Sequence, residues 1–152
     1  MERKRKADGG VAILETALVL SLLFLILFGI MEFATLFFNR GVIINASREG
    51  ARFGAVFNVD PSSGYEASPK TDAEITQRVL NYSEGHLISF QSASSTPNVT
   101  ITPDWTTRQA NGNGGPLRVE VSYQFSFLLL PNLASGIAGG SNLSAETFVR
   151  ME

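Results

Sequence analysis

Val11-Ala-Ile-Leu-Glu-Thr-Ala-Leu-Val-Leu-Ser-Leu-Leu-Phe-Leu-Ile-Leu-Phe-Gly-Ile-Met31 decides how the rest of this chain is read. Glu15 is the single charge in these 21 residues. Crossing a bilayer takes ~20 apolar residues at a helical rise of ~1.5 Å each. The centre of the run, Ala17 to Phe28, is apolar on every side of a helix. Such a helix belongs in a large protein core or in lipid. Val11 to Phe38 holds 22 apolar residues of 28, and the other 124 residues hold 45. Those 124 residues cannot enclose the run, so it is read as a membrane helix. The overall 44% hydrophobic content is therefore an average over a greasy rod and a polar head.

The flanks orient the rod. Arg3, Lys4, Arg5 and Lys6 precede it, and the positive-inside rule keeps such a cluster cytoplasmic while the C-terminal part crosses. The same cluster as a nucleic-acid patch is the weaker reading, because the whole chain is at net charge −2. The run exceeds the ~7–15 residues of a secretory signal core, and no A-x-A-type site follows it, so it stays as an anchor. Three segments result: a basic leader at 1–10, a membrane and extended helix at 11–56, and an extracytoplasmic α+β domain at 57–152.

Glu15 is the anomaly. A charge in the bilayer interior costs ~2.5–3.5 kcal/mol, less near the ends. Snorkelling to the cytoplasmic interface is one adequate account. The other begins with Gly9-Gly10. Cleavage after Gly10 makes Val11 an N-terminal ammonium and Glu15 the fifth residue, one turn away. A neighbouring chain's amine would then neutralise it.

This N-terminus resembles a type IV prepilin processing site. Three stretches resemble the TadE-like family more closely: Gly10-Val-Ala-Ile-Leu-Glu-Thr-Ala-Leu-Val-Leu, Phe28-Gly-Ile-Met-Glu-Phe33, and Ala46-Ser-Arg-Glu-Gly-Ala-Arg-Phe-Gly-Ala55. The resemblance spans roughly residues 9 to 56. Thr16 stands where such proteins often carry an aromatic, and the proline common in the middle of the family's apolar helix is absent, with Ser21 at about its place. The family implies a minor pilin or pseudopilin of the Tad (tight adherence) Flp pilus machinery. It further implies cleavage between Gly10 and Val11 by a prepilin peptidase, with Glu15 serving assembly. The implied location is the bacterial inner membrane, single-pass, with possible entry into an extracellular pilus. The implied partners are other pilins, inner-membrane Tad assembly proteins and membrane lipid, with roles in adhesion and secretion. A membrane-anchored envelope binding module that is neither processed nor polymerised is the alternative.

Beyond the bilayer the helix is expected to run to about Val56, since no proline precedes Pro61. Ala46, Gly50 and Gly54 recur at i, i+4 and i+8, a small-residue stripe that lets another backbone approach closely. Arg48 and Arg52 share an adjacent face, and Glu49 pairs with Arg52 at i, i+3. The stripe is read as a docking face for the chain's own sheet or a partner helix. Frayed glycines at a helix end are the other reading.

In the head, 58–70 reads as a loop rich in Pro, Gly and Ser. Thr71-Asp-Ala-Glu74 has capping-box spacing and opens a helix of about Asp72 to Ser83, ending near Gly85. Leu87 to Phe90, Asn98 to Thr102, Leu117 to Phe127 and Ser144 to Met151 read as strands. The alternation over Leu117–Phe127 is the clearest, with one face apolar and one wet. The fold expected is α+β: a long transmembrane helix extending into a small antiparallel sheet, pilin-like in layout. Leu128–Pro131 and Leu133–Gly140 form an apolar patch too short to cross a bilayer.

No enzyme site emerges. Zero cysteine removes thiolate metal sites, disulfides and a cysteine nucleophile. His86 is the one histidine and reads as an exposed loop residue. Asp60, Asp72, Glu74 and Glu84 lack calcium-loop spacing, and Gly112, Gly114 and Gly115 lack the P-loop Lys-Ser/Thr. Trp105 reads as a half-buried packing residue. The Asn98 and Asn142 sequons are of the kind that arise by chance. No metal, cofactor, nucleic acid or small-molecule substrate is expected. Residues 1–10 carry four basic and two acidic side chains. Losing them takes the chain from 12 basic and 14 acidic residues to 8 and 12, near −4.

Overall fold

A computed structural model of the chain describes residues 2–60, 66–89, 96–111, 115–127 and 141–151. Helix α1 spans Glu2–Ala55 as one unbroken element of 54 residues. At ~1.5 Å per residue it is ~81 Å long. Its surface changes character along its length. Every described side chain from Val11 to Phe28 is exposed, with Val11 at 68% and Phe28 at 45%. Burial begins at Glu32 and recurs at Asn39, Val42, Ile43, Ala46, Ser47, Gly50, Ala51 and Gly54. These three- and four-residue steps mark one helix face. A domain therefore sits on the distal half of α1, and the proximal half stands bare.

That domain has two layers. Strands β3 (Asn98–Thr102), β4 (Pro116–Phe125) and β5 (Ser141–Arg150) form an antiparallel sheet in the order β3-β4-β5. The register pairs Val121 with Val99 on one side and with Ala145 on the other. Leu117, Val119, Val121, Tyr123 and Phe125 are buried on one face of β4, as the alternation requires. They meet Ile43, Ala46 and Ala51 of α1 and Ile75 and Val79 of α2 (Asp72–Glu84). Helix α2 opens with the complete capping box. Thr71 Oγ1 accepts from the Glu74 N–H, and Glu74 accepts from the Thr71 N–H. Leu117 lies beside Gly54, and Phe127 meets Phe33 edge to face. So β4 runs back along α1 towards its bare half, and β5 runs away from it.

Four sequence expectations change. Residues 58–70 are more than a loop: β1 (Asn58–Asp60) and β2 (Glu66–Ser68) pair as an antiparallel hairpin. Three-residue strands are too short to show alternation. Leu87 to Ser89 form no strand, and Phe90 lies outside the described residues. Asn39 takes the place of a strand partner there. Its side-chain amide donates to the Ile88 carbonyl at 2.7 Å and its oxygen accepts from the Ile88 N–H at 3.0 Å. A helix not anticipated, α3 (Trp105–Asn111), follows β3. Strand ends shift as well: β4 stops at Phe125 and β5 starts at Ser141. The apolar patch at 128–140 lies outside the described residues.

Candidate functional site

Two regions of α1 carry the residues singled out in the sequence. At its start, Gly10 has open space around it, and Val11 and Glu15 are exposed. The helix is continuous here, so Glu15 sits one turn beyond Val11. Glu15 has no hydrogen-bond or ion partner among the described residues. The neutral polar groups nearby behave differently. Thr16 and Ser21 donate to the carbonyls of Ala12 and Ala17, both at 2.8 Å, and Thr35 donates to Met31 at 2.9 Å. Hydroxyls satisfied by their own helix backbone are compatible with a lipid surrounding. A lone carboxylate is not, and Glu15 therefore needs a partner or an interface. The segment is long and apolar enough to cross a membrane, and its most apolar stretch is unburied.

At the other end the small residues face the head. Ala46 is fully buried. A Cβ placed on Gly50 would lie 2.4 Å from Val79 Cγ2, and one on Gly54 would lie 2.7 Å from both Ile75 Cδ1 and Leu117 Cδ2. The glycines thus let α2 and β4 press against the α1 backbone. Arg48 points to solvent. Arg52 pairs with Glu49 Oε2 at 2.7 Å, and Arg78 of α2 takes Glu49 Oε1 at 2.6 Å. Hydrogen bonds from Arg52 and then Arg78 hold the Glu49 carboxyl below its usual range. Glu74 is likewise lowered, chiefly by the Thr71 N–H and hydroxyl.

Sequence reasoning missed three buried polar anchors. Asn39 and Ser47 lie eight positions apart on the same face as the small residues, and that spacing was the available signal. Ser47 Oγ is 2.8 Å from both the Val119 carbonyl and Thr147 Oγ1, tying α1 to β4 and β5. Arg108 of α3 is almost fully buried. It reaches Asp72 at 2.6 Å, the Lys70 carbonyl at 2.7 Å and the Pro103 carbonyl at 3.0 Å. Trp105 is half-buried and donates its indole N–H to the Pro69 carbonyl at 3.3 Å. His86 is exposed against the Tyr82 ring. Glu32 is buried at 3% and engaged where head and bare helix meet. Among the described residues no three His, Asp or Glu side chains group as a metal site.

The geometry defines a class: one helix long and apolar enough to cross a membrane, whose distal half is the spine of a small α+β head. Residues 10–52 of the chain match the family of TadE-like proteins. The match starts at Gly10, covers the bare apolar half of α1 and ends at Arg52, inside the glycine stripe. No curated protein and no solved structure matches the chain.

Proposed function

We propose that this chain is a structural component of a Tad pilus system, a TadE-like minor pilin or pseudopilin that assists Flp pilus assembly and thereby adhesion or secretion. The observation that carries the reading is the coincidence at Gly10. The family match begins there, an unbroken helix follows, and Glu15, the one carboxylate in its apolar run from Val11 to Met31, sits a single turn beyond Val11. In this reading a prepilin peptidase removes residues 1–10 from the cytoplasmic side of the inner membrane. The free Val11 ammonium of one pilin then pairs with Glu15 of another, and the bare apolar half of α1 exchanges lipid for neighbouring helices. The head faces the cell exterior. Its partners are other pilins and the inner-membrane Tad assembly proteins.

Deleting the chain tests this. Sheared Flp filaments are expected to fall below detection while the major pilin is still made and inserted. Normal filament yield in the deletion strain overturns the assembly role and favours an anchored module that binds an envelope ligand.

A further inference from the structure

The distal end of α1 leaves a groove against strand β5. The groove, about 390 Å³, runs between Ala51 and Ala55 on the helix, with Val56 just past its end, and Thr147 to Arg150 on the strand. Three arginines line it, Arg48, Arg52 and Arg150, and no acidic side chain does among the described residues. Arg48 and Arg150 have no ion partner among the described residues. On the far side of Arg52 a second cavity holds Lys70 and Arg78. Five of the eight basic residues beyond position 10 are thus gathered here. The one carboxylate among the described lining residues is Glu49, and both its oxygens are taken by Arg52 and Arg78.

The strand wall is itself unpaired. Among the described residues β5 has β4 on one side and no strand on the other. The Met151 N–H donates to the Gly115 carbonyl at 3.1 Å, which extends the β4–β5 register by one pair. Hydrogen-bonded pairs alternate along an antiparallel ladder. The even-numbered residues, including Glu146, Phe148 and Arg150, therefore turn their N–H and C=O groups to the open side. Phe148 stands beside them at 65% exposure. An open edge of this kind is a template for another strand.

We propose that this groove binds an extended acidic segment of another protein by strand addition to β5. The backbone groups of Glu146, Phe148 and Arg150 supply the ladder. On the helix side Arg48 and Arg52 receive carboxylates, and the apolar side chains that alternate with them fall on the opposite face beside Phe148. The lipid of the anchoring membrane is out of reach, because Met31 to Arg52 rises ~32 Å along α1. A second copy fits poorly. Antiparallel pairing of two β5 edges points the two α1 helices in opposite directions, which one membrane forbids. Parallel pairing sets Arg150 and Glu146 against their own counterparts, like charge on like. The other open edge, β3, carries no acidic residue.

The test uses the full chain in micelles and a short peptide of alternating glutamate and valine. Binding is expected, with slowed amide exchange at Glu146, Phe148 and Arg150. The double variant Arg48→Glu, Arg150→Glu, changed at two exposed sites, is expected to bind on the order of tenfold more weakly and with less salt dependence. The lysine–valine counterpart is expected not to bind. Binding without protection of those amides overturns strand addition. Polyphosphate bound as tightly as the peptide, and indifferent to the edge amides, reduces the groove to a charge patch and overturns it too. Concentration-dependent protection of the same amides without peptide assigns the edge to a second copy instead.

Discussion

Gly50→Leu lowers the melting temperature of the head by on the order of 10 °C. At this position a Cβ alone would stand 2.4 Å from Val79 Cγ2 and 3.4 Å from Val119 Cγ1. Val79 and Val119 are themselves fully buried, so neither has free space to yield into. Leucine adds three further carbons at the same point. Overpacking a filled core costs ~1–3 kcal/mol, occasionally more. Replacing a mid-helix glycine returns only ~1 kcal/mol of helix propensity. The steric term wins, and a small domain has ~5–15 kcal/mol in total. Gly41→Leu is the internal control, since a Cβ there meets nothing within 4 Å. It gains the same propensity without the collision, and its melting temperature is expected to hold or rise. Near-ultraviolet circular dichroism in micelles reads both. Equal melting of the two variants would show that the glycine stripe does not set the approach of α2 to α1.

The second large effect falls on assembly rather than on folding. Glu15→Ala is expected to insert into the membrane at least as well as the wild type, because it removes a charge that costs up to ~2.5–3.5 kcal/mol in the apolar run. The head is expected to fold unchanged, since burial along α1 begins only at Glu32. Filament yield, by contrast, should fall at least tenfold if a neighbour's Val11 ammonium pairs with this carboxylate. In lipid the ammonium left without its partner is expensive, so the loss is not compensated locally. Glu15→Asp keeps the charge on a shorter arm and should recover part of the yield. Normal assembly by Glu15→Ala would mean that Glu15 merely snorkels to the interface.

These two positions also show what the sequence makes legible. Periodicity and capping are local, so α1, the Thr71–Glu74 box and the alternation of β4 could all be read directly. The glycine spacing was visible, but whether it meant a docking face or a frayed end depends on Val79 and Ile75, which lie more than twenty residues away. Ile88 looked like a strand residue because it sits in an apolar run. Its backbone is instead held by Asn39, 49 positions earlier. Arg108 carries no local sign of burial, and only the convergence of Asp72 with the Lys70 and Pro103 carbonyls makes its burial tolerable. Ser47 reaches Thr147 across 100 positions. What sequence reading missed is thus mainly polar anchoring between distant segments, together with strands too short to alternate. The N-terminal region was legible because its chemistry is linear. A glycine, a carboxylate five positions on and an apolar run need no tertiary contact to be recognised, and the family match falls on that same stretch.

The most direct measurement is the intact mass of the chain purified from membranes that contain an active prepilin peptidase. The wild type is expected at the mass of a chain starting at Val11, without residues 1–10, and Gly10→Ala at the full length. A wild-type chain that keeps Met1 to Gly10 under those conditions would contradict the processed-pilin account.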